Sequence, residues 1–181
     1  ILLCFTNALK LTASDKPNVV FILSDNQSYY EMSCHGHADI KTPNIDRLAD
    51  QSVEFTNFHA PPFCSPSRAV ILTGRYAIRS GVFTTIAGRS ILHKDEKTLP
   101  QFLKPHGYHS AIFGKWHLGH RKGLLPTDQG FDSFFGVPYS NDMSQFHRPK
   151  GNGYPHSLPL MQGSEIIEWE PDQRILTRRL T

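Results

Sequence analysis

Residues 18–23, "NVVFIL", form an apolar, largely β-branched run between Pro17 and the polar "SDNQ". Their length and composition predict a fully buried strand, with Asp25 and Asn26 at its carboxyl end. In "TPNIDRLADQS" (42–52), Ile45, Leu48 and Ala49 recur at helical spacing, so a helix is expected with Asp46 and Arg47 on its polar side. "VEFTNFHA" (53–60) alternates apolar and polar with period two, the pattern of a half-buried strand. In "CSPSRAVILTG" (64–74), Ser65 is the expected N-cap, Pro66 the first helical residue and Gly74 the stop. "TLPQFLKPHG" (98–107) reads as a short helix with Thr98 as N-cap, ended around Pro105 and Gly107. "YHSAIFGKWHLG" (108–119) reads as a strand through Ala111, Ile112 and Phe113, opening at Gly114 into a loop with Lys115, Trp116 and His117. Beyond about residue 120, Gly, Pro, Ser, Asn and aromatic residues predict mostly loop. The final "SEIIEWEPDQRILTRRLT" predicts a polar hairpin or strand running into a helix. Strands alternating with helices define an α/β protein.

Composition narrows this picture. The chain has 181 residues, 39% hydrophobic and 11% aromatic, enough for one packed domain and against disorder. A net charge of +3, scattered along the chain without a basic run, argues against a nucleic-acid partner. "ILLCFTNALKLTASDKPN" (1–18) reads better as the tail of a secretory signal peptide, cut near Ala8 or Ala13, than as a first buried element. It is too short, and too interrupted by Lys10, to span a membrane. The expected location is therefore secreted or periplasmic, or lysosomal in a eukaryote. Export would permit a Cys34–Cys64 disulfide, although Cys34 reads most simply as a buried thiol. The start and end both read as truncated.

Three polar stations stand at the ends of the predicted elements. Asp25 and Asn26 offer hard oxygen ligands of the kind that select Ca²⁺ or Mg²⁺ over zinc. Cys64 sits at a helix start, where unpaired N–H groups and the positive end of the dipole favour a thiolate or an anion. Arg68, one turn on, can place its guanidinium over an anion held there. Lys115 adds a point charge, and His117 can move a proton near neutral pH. His35, His37, His93, His106, His109 and His120 read as surface or loop residues, and "CHGH" (34–37) is a poor zinc motif. Each station taken alone also has a structural reading: a turn, a small buried hydrophobe, a capped carboxylate, a packed aromatic loop.

Together the stations resemble a known family. "CSPSRAVILTG" is similar to the first sulfatase signature, Cys-x-Pro-Ser-Arg with a Leu-Thr-Gly ending, and "GYHSAIFGKWH" (107–117) to the second. "NVVFILSDNQ" resembles the opening strand of these enzymes and "KTPNIDRLADQSVEFTNFHA" the segment between, so the likeness runs over roughly residues 17 to 145. "QGFDSFFGVPYSND" (129–142) resembles arylsulfatase A-type and galactosamine-sulfatase-type members most.

The resemblance implies an alkaline phosphatase-like mixed sheet between helices, with residues 1–16 as leader and 17–181 as the N-terminal part of a sulfatase catalytic domain. It implies that a maturation enzyme reading Cys64, Pro66 and Arg68 oxidises Cys64 to formylglycine. The hydrated aldehyde then attacks the sulfur of a sulfated small molecule or glycan. By the same carry-over Asp25, Asn26 and the modified Cys64 ligate Ca²⁺, with Mg²⁺ as the other candidate. Arg68 balances charge, Lys115 contacts sulfate, and His117 orients or deprotonates the diol. Family members commonly carry two consecutive Asp where this chain has Asp25-Asn26, which implies a weaker metal site. They also draw a further metal pair, a second His and a second Lys from later segments, for which His147 and His156 are poor candidates. A phosphonate or phosphate monoester hydrolase of the same superfamily, or an inactive relative that binds sulfated ligands, are the alternatives. These residues alone are expected to be inactive and poorly stable.

Overall fold

The computed structural model describes residues 16–85, 91–144 and 157–181. The leader reading of residues 1–15, and His147 and His156, lie outside the described residues. The chain divides into two compact units, Ile1–Ala60 and Pro61–Thr181.

In the first unit the predicted helix forms as α1 (Pro43–Asp50), with Pro43 at its first position, where a missing N–H costs nothing. Ile45, Leu48 and Ala49 lie half-buried on one side, as their spacing requires. Asp46 has a larger part than a place on a polar face. Its carboxylate accepts from Ser33 Oγ (2.6 Å), Thr42 Oγ1 (2.8 Å) and the Cys34 amide (3.0 Å), tying α1 to the 3₁₀ turn Ser33–His35. The Ser33 hydroxyl first, and the Thr42 and Cys34 donors after it, hold the Asp46 carboxyl below its ordinary value. This tie is therefore complete above the ordinary carboxylate range and is lost as pH falls through the lowered value. Asp46→Ala is expected to speed hydrogen exchange at the Cys34 amide severalfold, leaving β-sheet amides unchanged.

Two strands expected in this unit are absent. Residues 18–23 carry no ladder, and Val19 and Val20 are 63% and 83% exposed. In 53–60 only Val53 makes an isolated bridge. An apolar run states that a segment tends to be buried and extended, but a strand exists only where a neighbour closes its backbone hydrogen bonds. Among the described residues no strand does so. Cys34 is exposed, not buried, and both Cys34 and Cys64 are free thiols, so the disulfide is not formed.

The second unit is built on a four-stranded mixed sheet in the order β1 (Ala111–Lys115), β2 (Ser133–Val137), β3 (Pro159–Gln162), β4 (Glu165–Trp169). β1 and β2 run parallel, whereas β2–β3 and β3–β4 are antiparallel. The helices are α2 (Cys64–Thr73), α3 (Ala77–Ser80), α4 (Leu99–Leu103) and α5 (Gln173–Leu180). The result is an α/β fold, a mixed sheet flanked by helices. β1 begins where the sequence predicts it but runs on through Gly114 and Lys115, expected in a loop, because Gly136 and Val137 of β2 pair with them. The terminal strand and helix are borne out as β4 and α5, the latter capped by Asp172, whose carboxylate accepts from the Arg174 amide. Thr98 caps α4 with Gln101 answering in a capping box, and Gly107 (φ 79°) closes the turn after it.

The region after residue 120 is the main departure in this unit. "SFFGV" is β2, next to β1 in register Ala111↔Ser133 through Lys115↔Val137. Phe134, Phe135 and Val137, two aromatic residues and one β-branched, suffice for a strand, but Gly and Pro in and beside it concealed them. The core is one cluster of Ala69, Val82, Leu92, Trp116, Leu118, Leu125, Phe134 and Met161. A second cluster of Val137, Leu158, Leu160 and Leu176 packs α5 on the sheet.

Candidate active site

α2 begins two residues earlier than the caps predict. Phe63 has extended backbone (φ −128°, ψ 152°) and Cys64 is the first helical residue, so Ser65 lies inside the helix and is not its cap. Ser67 explains the shift. Its amide donates to the Phe63 carbonyl (3.1 Å), and its hydroxyl donates to the carbonyls of Phe63 (2.9 Å) and Pro61 (2.8 Å). Those bonds draw the preceding loop onto the first turn. Pro66 remains compatible because first-turn amides have no partner within the helix. Gly74 ends α2 in the left-handed conformation, as expected (φ 65°).

Cys64 consequently presents its half-buried Sγ from the opening turn of a ten-residue helix. The atom opposite it is Nδ1 of His117, 3.2 Å away. His117 is 5% exposed and follows directly from β1 through Trp116. The backbone beyond β1 stays tied to the end of β2 and the residue that follows it. Trp116 N donates to Val137 O (2.9 Å) and His117 N to Pro138 O (3.0 Å). Leu118 O accepts from Leu92 N at 3.0 Å. The Trp116 ring is buried, and its Nε1 donates to Leu124 O at 2.9 Å. Held in this way, His117 takes a left-handed backbone (φ 60°) that a non-glycine residue adopts only where its surroundings impose it.

Arg68, one turn into α2, donates from Nη1 to the Lys115 carbonyl. Lys115 is the last residue of β1 and half-buried. Cys64, Arg68, Lys115 and His117 are therefore brought together by two elements, α2 and β1, inside one unit. The supporting wall of Val137 and Pro138 escaped the sequence reading along with β2. The available signal was a strand-length apolar run bearing the carbonyls that receive the Trp116 and His117 amides.

Asp25 and Asn26 belong to the first unit, where they are exposed in a bend, with Asn26 at φ 55°. Asn is among the side chains that tolerate this region best. As donors they suit a hard dication in kind, but calcium takes six to eight oxygens. Among the described residues no group of three or more His, Cys, Asp and Glu side chains could hold an ion. The described residues do not make a complete calcium site.

This α/β unit sets a cysteine at a helix start within hydrogen-bond reach of a histidine carried beyond a strand end. The chain belongs to the sulfatase family, whose description, "Sulfatase", matches residues 17–178. It is 42% identical over 147 residues to arylsulfatase G of Mus musculus, covering 80% of this chain and 28% of that protein. The chain thus spans about a quarter of the length of that relative. Among solved structures it resembles Ps i-CgsB in complex with k-i-k-neocarrahexaose, with a TM-score of 0.70 and 28% identity over 91% of this chain and 40% of that one. It also resembles a structure in complex with its substrate D-glucosamine-2-N,6-O-disulfate, with a TM-score of 0.66 and 30% identity over 86% of this chain and 28% of that one. Among the described residues no helix is long and apolar enough to cross a membrane.

Proposed function

We propose that the whole protein hydrolyses sulfate esters, with the side chain at position 64 as nucleophile and His117 as its proton partner. The observation that carries this reading is the 3.2 Å approach of Cys64 Sγ to His117 Nδ1, within a unit of the sulfatase family. The Cys64-x-Pro66-x-Arg68 motif suits oxidation to formylglycine by a maturation enzyme, and Cys64 stands where the product is needed. Formylglycine supplies a hydrated aldehyde, a nucleophile that can release sulfate without a separate ester hydrolysis.

The chain's own residues do the rest. His117 Nδ1 is within reach of the group at position 64, so it can hold or take a proton there. The left-handed backbone and the bond to Pro138 O fix the approach of the ring. Arg68 braces the Lys115 carbonyl and adds positive charge beside the helix start. Lys115 supplies an ammonium for the sulfate oxygens. His117→Ala in the full-length, matured protein is expected to lower kcat roughly a hundredfold, the usual weight of a general acid or base. Steady-state kinetics on an aryl sulfate measures it, and a kcat within twofold of wild type removes His117 from the chemistry.

Sulfated glycans are the proposed natural substrates, supported by the sugars bound in the two similar structures. Comparing turnover of a sulfated disaccharide, an aryl sulfate and the matching phosphate monoester tests both parts. Preference for phosphate overturns the reaction assignment, and turnover of aryl sulfate alone overturns the glycan assignment. Asp25 and Asn26 are proposed as two oxygen ligands for Ca²⁺, with Mg²⁺ as the lesser fit, on their donor chemistry. Restoring a second carboxylate with Asn26→Asp is expected to tighten Ca²⁺ binding severalfold, read as a larger calcium-induced rise in Tm. An unchanged rise removes Asn26 from the ligand set. A secretory destination, residues 1–16 as leader and 17–181 as the first part of the catalytic domain complete the proposal.

A further inference from the structure

Glu170 follows β4 with a left-handed backbone (φ 51°), a conformation no glycine is present to ease. Its carboxylate joins two segments that are distant in sequence. Oε1 accepts from the Leu158 amide at 2.8 Å, and Oε2 accepts from the Ser144 hydroxyl. Its own amide donates to Leu158 O at 2.7 Å, so the residue grips Leu158 from both sides. Ser144 and Leu158 are both fully buried. Charge-assisted hydrogen bonds at buried partners are the strong kind and strongly directional.

Ser144 lies on the same segment as Val137 and Pro138, the wall behind His117. Val137 and Pro138 present the carbonyls that receive the Trp116 and His117 amides. Tyr139, the next residue, packs its ring edge-on against His120 (centroids 5.6 Å) and donates from its hydroxyl to Ser157 O at 2.7 Å. Burial first, and the Glu170 charge after it, push the Tyr139 hydroxyl up to about 12, so it remains a donor at any working pH. Farther along, Asn141 and Gln173 exchange two hydrogen bonds (3.1 and 3.0 Å) between this segment and α5. The wall is thus pinned at its far end by Glu170 and at its middle by Tyr139 and Gln173.

We propose that Glu170 is a positioning residue for His117, its carboxylate locking Ser144 to Leu158 and so holding the 137–144 wall on which the His117 backbone rests. It acts through Ser144 and Leu158, by keeping the imidazole in register with position 64. The proposal rests on the assignment of His117 above, and its test has one arm that does not need activity.

In the full-length, matured protein, Glu170→Ala removes both acceptors. Glu170→Gln keeps an acceptor for Leu158 N and a polar partner for Ser144. Expected for Glu170→Ala is a kcat about tenfold lower with KM within twofold, since small displacements at a reacting pair cost that much or more. Glu170→Gln is expected to recover most of the loss. In parallel, the ¹⁵N-labelled imidazole signals of His117, assigned through His117→Gln, are expected to move in Glu170→Ala and to return in Glu170→Gln. A folded Glu170→Ala with wild-type kcat and unmoved His117 signals overturns the proposal. So does a loss of kcat matched by the loss of folded protein. Moving His117 signals in a protein without sulfate hydrolysis would sustain the coupling and defeat the functional reading instead.

Discussion

Replacing Cys64 with alanine in the full-length, co-matured protein is expected to reduce sulfate release by roughly a thousandfold or more. Removal of a nucleophile leaves only the binding and electrostatic remnants of catalysis. Cys64 faces His117 Nδ1 from the opening turn of α2, at 3.2 Å. The substitution should barely change Tm, because the side chain is small, half-buried and at a helix end. Steady-state kinetics with an aryl sulfate, with thermal melts of the same preparations, separates the two effects. Equal rates for variant and wild type would sink the nucleophile assignment. Mass spectrometry of the peptide containing residue 64 adds a check on maturation. Active wild-type protein should carry formylglycine there, and a wholly unmodified cysteine in active protein would place the nucleophile elsewhere.

The second large effect lies at Gly136 and concerns stability. Gly136 is paired with Gly114 between the parallel strands β1 and β2. A Cβ on Gly136 would stand 1.9 Å from the Gly114 carbonyl oxygen, and 2.7 and 2.8 Å from the Gly114 C and N. All three atoms are backbone, so no side chain can swing aside. Relief requires the two strands to part, just where β1 leads into Lys115, Trp116 and His117. Gly136→Ala is therefore expected to cost about 4 kcal/mol or more, among the largest effects of a single substitution. Gly163 supplies the contrast. It occupies the β3–β4 turn at φ 60°, with nothing within 4 Å of a built Cβ. Alanine there meets only backbone strain, about 1 kcal/mol. Denaturant unfolding of the two full-length variants should separate them clearly, and comparable losses would show that β1 and β2 have more freedom than their register implies.

Elements whose signals are local were legible in the sequence. α1, α4 and the Gly74 stop rest on helical spacing, a capping box and a left-handed glycine, all set within a few residues. β1 was legible because the strand and the change to polar residues at Lys115 are adjacent. The N-cap of α2 was misplaced by two residues because Ser67 bonds back to Phe63 and Pro61, and a loop conformation is not written in the propensities of the helix. β2 was missed because its flanks resemble a loop. Residues 18–23 were expected in a sheet because apolar, β-branched side chains were read as burial, while the described residues pair them with nothing.

The sequence by itself determined which residue types are available for the chemistry. A cysteine at a helix start, an arginine one turn on, and a lysine and histidine after a strand are properties of order and spacing. Tertiary structure alone decided which of them meet. Helix α2 and strand β1 are joined by no local rule, and the approach of Cys64 Sγ to His117 Nδ1 exists because Ala69 and Trp116 share one core cluster. The left-handed turn at His117 is likewise imposed from outside its own segment, by the carbonyl of Pro138. Side-chain identity is carried along the chain, whereas distance between remote residues is set by the packing that buries what lies between them.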